Sequence, residues 1–140
     1  MKLALAGTLA LVGLLVVVSP APAAVILNIT PDFPIQGGDI LGFSASGGNP
    51  NALAFLIVGT TLGTTTFQDF ELGIAYPFWV LYGGHFNTSG VTTGGWSFPG
   101  SGPIPGLAGL TLMVQVLMID PVGPVFGVSN IDQIAFAPQT

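Results

Sequence analysis

From residue 24 onward no apolar run in this chain goes far without interruption. Clusters of Gly, Pro, Asn or Ser break the sequence roughly every eight to twelve residues, the spacing of short strands and turns in an all-β sandwich or barrel. A helix of ordinary length, about three turns, does not fit between those breaks. VILNIT (25–30) stops at Pro31, and ILGFSAS (40–46) alternates, with Leu41, Phe43 and Ala45 on one face and Gly42, Ser44 and Ser46 on the other. That alternation predicts a half-buried strand. ALAFLIVG (52–59) is apolar at both parities, which suits an interior strand or a short helix. Its Phe, Ile and Val content and the closing Gly59 favour the strand.

The same reading continues to the C-terminus. TTLGTTTF (60–67) is expected to be a loop or an edge strand, and YPFWVLY (76–82) a strand with Pro77 at its start, where no ladder bond is lost. GGHFNTSG (83–90) is expected to be a loop, and VTTGGWSF (91–98) a strand with a bulge at Gly94-Gly95. PGSGPIPG (99–106) permits only turns. VFGVS (125–129), a turn at Asn130 and IDQIAFA (131–137) complete the chain. The expected architecture is an antiparallel β-sandwich of about eight strands forming one domain, residues 24–140.

LAGLTLMVQVLMIDP (107–121) decides between that fold and a membrane protein. A bilayer-spanning helix needs about 20 apolar residues, and this run is shorter and hemmed in by Pro103, Pro105 and Pro121. As a strand it has one wholly apolar face, Leu110, Leu112, Val114, Val116 and Met118, while the other carries Thr111, Met113, Gln115, Leu117 and Ile119. It is therefore expected to lie in the middle of a sheet with one face in the core and the other largely covered. Gln115 is expected on the less buried face, or buried with its amide bonded to loop backbone, because an unsatisfied buried amide costs about 1 to 3 kcal/mol.

The first 23 residues have one basic side chain at Lys2, an apolar core from Leu3 to Val18 and a small-residue end at Ala21-Pro22-Ala23. That order predicts a secretory signal peptide, residues 1–23, with an uncleaved anchor as the alternative. Lys2 is the single Lys or Arg of the chain. The region after the signal has six carboxylates, Asp32, Asp39, Asp69, Glu71, Asp120 and Asp132, and no Lys or Arg to pair with them. Without cationic side chains the domain has nothing to displace phosphate counterions, so nucleic acid and anionic membrane surfaces are excluded as partners. Cysteine is absent, so neither a disulfide nor a lipid-bearing thiol contributes. Gly and Pro are abundant, but 10 Phe, 2 Trp and 2 Tyr with few charges describe a globular chain rather than a disordered one.

One resemblance rests on particular residues: GGDILGFSASGGNPNALAFLIVG (37–59), a central Gly-rich aromatic strand, PGLAGLTLMVQVLMIDP (105–121), and the closing VSNIDQIAF (128–136). This order resembles a module that recurs in secreted bacterial proteins, in which a strand of the type GLTLxVQxLxxD is followed by an SN turn and a last strand. The resemblance spans most of the chain after the signal. It implies a secreted β-sandwich and no particular chemistry.

Catalysis is not expected. His85 is the sole histidine and hence the sole base for a Ser-His-Asp arrangement, but no G-x-S-x-G elbow accompanies it. One His and no Cys fall short of a zinc site, and the carboxylates match no EF-hand pattern, so neither cofactor nor metal is assigned. The candidate ligand-binding set is Trp96, Tyr82, His85, Phe86 and Asn87, aromatics in or near a glycine-flanked loop where a sugar ring can stack beside an amide. Trp79, within FWVL, is expected in the core. Strand edges carry a second implication: exposed edges are usually guarded by Lys, and this domain has none. Either loops such as TTLGTTTF and PGSGPIPG cover its edges, or the edges pair with other molecules. The expected role is a secreted structural or adhesive domain of the cell surface or extracellular matrix, with self-association through strand edges. The alternative is a lectin-like carbohydrate-binding module whose partners are surface glycans.

Overall fold

The computed structural model describes residues 25–31 and 34–139, so the expected signal peptide and Asp32 lie outside the described residues. Nine strands and no helix occur among the described residues: β1 (Ile26–Thr30), β2 (Ile40–Ser46), β3 (Leu53–Gly59), β4 (Leu62–Thr66), β5 (Glu71–Ile74), β6 (Phe78–His85), β7 (Val91–Ser97), β8 (Thr111–Asp120) and β9 (Val125–Ala135). They form a four-stranded sheet in the order β9-β8-β3-β6, a three-stranded sheet in the order β1-β2-β7, and the hairpin β4-β5. Every pairing between these strands is antiparallel. The result is the expected all-β sandwich, with a hairpin laid on its outside.

The alternation in the sequence dictates how the layers face. Leu41, Phe43 and Ala45 of β2 and Leu27 and Ile29 of β1 meet Ala54 and Leu56 of β3 and Val114, Val116 and Met118 of β8 in the main core. Removing each of the larger side chains from water is worth about 1.5 to 3 kcal/mol. Strand β8 lies between β9 and β3, as its double-sided hydrophobicity predicts. Its second face is covered by the hairpin: Leu72 and Ile74 of β5 pack with Ile57 and Leu117, and Met113, Ile119, Val128 and Ile131 surround them. Because both faces of this sheet are covered, its central strands read as continuous apolar runs.

Gln115 links the layers. Its Oε1 accepts a 2.9 Å hydrogen bond from the Gly73 N–H of β5, and its Nε2 donates to the Ser129 carbonyl at 2.8 Å. The side chain is buried with its amide satisfied by backbone, though by strand backbone rather than loop. A Cβ at Gly73 would lie 2.6 Å from Ile131 Cδ1, so a larger residue there would make the end of the Ile131 side chain shift.

Four local expectations are corrected. Asn130 makes no turn, because β9 runs unbroken from Val125 to Ala135 with a register shift opposite Val116. It is a bulge: the Val116 N–H donates to the Ser129 hydroxyl, which donates to the Asn130 carbonyl, so the side chain of Asn130 is swung out of the ladder. Gly94-Gly95 makes no bulge, because β2 and β7 pair in unbroken register from Ile40↔Ser97 to Ser46↔Val91. Glycine is needed at 94 because the Phe43 ring lies over it, 2.3 Å from where a Cβ would be. TTLGTTTF folds in part as β4, an exposed edge strand of the outer hairpin as one of its two expected forms, but it covers no sheet edge, because it pairs with β5 alone. The start of the expected loop 83–90 is drawn into β6, which continues to His85.

Candidate functional site

The two long sides of the sandwich are built differently. On one side β1 of the small sheet lies against β9 of the large one, and the bulge aims side chains across the gap. Asn130 Oδ1 accepts from the Leu27 N–H at 2.8 Å while its Nδ2 donates to the Leu27 carbonyl at 3.1 Å. Asp132 Oδ2 accepts from the Ile29 N–H at 3.1 Å. Parallel bridges at Val25↔Ser129 and Ile35↔Phe136 continue the seam. The N–H and carbonyl of Leu27 and the N–H of Ile29, on the outward side of β1, are thus taken by side chains, which leaves little free ladder for a second molecule.

On the other side β6 and β7 face each other without pairing. The Thr92 hydroxyl donates to the Gly83 carbonyl at 3.1 Å, and among the described residues no further hydrogen bond joins the two strands. Strand β6 pairs with β3 alone, in regular register from Gly59↔Phe78 to Phe55↔Tyr82, before a bulge at Gly83-Gly84. Its outer edge, FWVLY (78–82), is uncharged, and Trp79, Val80, Leu81 and Tyr82 are all exposed. Trp79 is therefore not the core residue expected. Its register opposite Val58 points it toward the sandwich interior, yet it is 62% exposed. It sits on the last strand of its sheet, where the smaller facing sheet does not cover it.

The sequence-predicted ligand set is dispersed. Phe86 is corrected from a loop platform to a core residue, 1% exposed. Its N–H donates to the Ala52 carbonyl and its carbonyl accepts from the Asn51 N–H, which turns the ring inward over Gly48. Tyr82 and His85 are exposed neighbours, with the Tyr82 hydroxyl 2.9 Å from His85 Nδ1, and Tyr82 leans on Phe55 at the outer face of the large sheet. Asn87 serves its own turn, its Oδ1 accepting from the N–H groups of Ser89 and Val91. Trp96 belongs to the other sheet, opposite Leu41 and stacked on Phe43 with ring centroids 5.7 Å apart. These residues do not converge on one surface.

Between β6 and β7 the core is left open as an apolar pocket of about 180 Å³. Leu56 and Val58 of β3 form its back with Val114 of β8, and Leu81 and Trp96, one from each sheet, stand at its mouth. Phe98 and Leu107 close it from the loop side, and every lining residue is apolar. The sequence reading missed this pocket because it is a gap between sheets, assembled from residues that individually read as core.

Four carboxylates, Asp39, Glu71, Asp120 and Asp132, accept from amide or hydroxyl groups in place of cations. Asp39 accepts from the Gln36 N–H, Asp120 from Asn49 Nδ2 and the Val122 N–H, and Glu71 from the Thr66 hydroxyl. Among the described residues no three of His, Asp and Glu come together to hold a metal ion. No helix among them is long and apolar enough to cross a membrane. No family model, no curated protein and no solved structure matches this chain.

Proposed function

We propose that this is a secreted structural or adhesive domain of the cell surface or extracellular matrix, and that it associates with copies of itself through the outer edge of β6. The observation that carries this reading is the edge at residues 78–82: regular, uncharged, aromatic, exposed and unpaired on its outer side. Such a row of backbone donors and acceptors is a template for strand addition. Monomeric proteins blunt it with Lys, Pro or inward charges, and here the guard devices lie only at the ends, Pro77 before the strand and the bulge at Gly83-Gly84 after it. Two β6 strands related by a two-fold axis would join the large sheets into one continuous sheet across the pair. Export by the N-terminal segment and the secreted module that the sequence resembles are consistent with a role outside the cell.

The lectin-like alternative draws less support, because a stacking platform needs its aromatics and amides on one surface. Tyr82 and Trp96 lie on different sheets, and Phe86 is buried.

Sedimentation velocity over a concentration series tests the proposal. The parent chain is expected to form a discrete pair, and Val80→Lys, which places like charges across the new ladder, to remain monomeric. A parent that stays monomeric throughout, or a variant that pairs as well as the parent, overturns it.

A further inference from the structure

Protein interiors are packed to crystal-like density and rarely leave room for more than a water molecule. The pocket between β6 and β7 departs from that rule, with about 180 Å³ of apolar space that opens to the surface beside the main core. We propose that it is a binding site for a small uncharged apolar group, an aromatic ring or the short alkyl chain of a neutral molecule.

Three features fix the class of ligand. Size is the first: an apolar cavity of about 150 Å³ accepts benzene, so this one takes a single ring or a chain of comparable bulk. Lining is the second, since Leu56, Val58, Val114 and their neighbours offer no donor or acceptor. A polar group inside would lose its hydrogen bonds to water and gain none, so the ligand's polar end must remain at the mouth between Leu81 and Trp96. Charge is the third. The described residues include no Lys or Arg, and the titratable side chains are mostly carboxylates. A fatty-acid carboxylate held at the mouth would find no cation to pair with it, which favours neutral ligands over anionic ones.

Beside the pocket, Phe43 lies over Gly94 of β7 with its tip toward Gly83 of β6, and the Trp96 indole that lines the pocket is stacked on the Phe43 ring.

Trp79 does not line the pocket and Trp96 does, so Trp79→Phe in the full chain leaves one tryptophan as an internal reporter. Titration of that variant with benzene and with 1-hexanol is expected to give a saturable change in Trp96 emission, with hexanoate about tenfold weaker than 1-hexanol. Adding Val58→Phe, which fills the pocket, is expected to weaken benzene binding by at least about tenfold, the scale of a mismatch in an apolar site. If Val58→Phe does not fold, Val114→Leu, one methylene larger, is expected to weaken binding in the same direction. Emission that shows no saturable response up to the solubility of benzene overturns the proposal. So does a response that the filled variant retains in full, and hexanoate binding as tight as 1-hexanol refutes the preference for neutral ligands.

Discussion

The two sides of this sandwich have the same problem and different solutions. Each is an edge where a sheet of exposed backbone groups ends, in a domain without a cationic side chain to guard it. At the β1/β9 side a bulge turns Asn130 and Asp132 outward, and their side chains take over the ladder bonds of Leu27 and Ile29. At the β6/β7 side one hydroxyl-to-carbonyl bond, Thr92 to Gly83, spans the gap. The difference shows what an edge requires. Neutral and acidic residues can seal a β edge if a bulge aims them, and where no such device exists, the edge and the core behind it remain accessible. The open edge and the apolar pocket are two consequences of one missing seam.

That contrast can be attacked with substitutions. Asn130→Leu is expected to have the largest effect on stability, because it strips partners from both the N–H and the carbonyl of Leu27, a residue 1% exposed. At about 1 to 3 kcal/mol for each of the two buried groups left unsatisfied, a loss of about 2 to 6 kcal/mol is expected in guanidinium unfolding. Gln115→Leu comes next. It orphans the Gly73 N–H and the Ser129 carbonyl, but Gly73 is only half-buried and can recover water, so about 2 to 3 kcal/mol is expected by the same measurement. Gly94→Ala forces a methyl group into the Phe43 ring and is expected to cost about 1 to 3 kcal/mol as overpacking. Val80→Lys on the open edge is expected to change unfolding stability by less than about 0.5 kcal/mol, while abolishing association. If Val80→Lys in the monomer destabilises as much as Asn130→Leu, the two sides are not different in kind.

How much of this was legible beforehand varies with the range of the interaction. The strands of the core were, because period-2 alternation in ILGFSAS and double-sided hydrophobicity in TLMVQVLMID depend only on neighbours along the chain. So was the demand that Gln115 find partners, although not that one would come from β5. What could not be read was position within a sheet. FWVL has the same composition on an edge as in a core, so Trp79 looked buried, and Phe86 looked exposed because its burial depends on the distant Gly48. Ser129-Asn130 read as a turn because a bulge and a turn favour the same residue types, and only the two-against-one pairing with β8 separates them. Gly94 read as a bulge when its reason lies across the sheet, in the ring of Phe43. The pocket leaves no local mark at all.

Residue-resolved amide hydrogen exchange at two protein concentrations tests the asymmetry of the two sides most directly. The N–H groups of Leu27 and Ile29 are expected to exchange slowly at both concentrations, since their protection comes from Asn130 and Asp132 within the same molecule. Those β6 amides in residues 78–82 that point away from β3 are expected to exchange fast when dilute and to become protected when concentrated. Fast exchange at Leu27 and Ile29, or outward β6 amides whose rates do not respond to concentration, would contradict it.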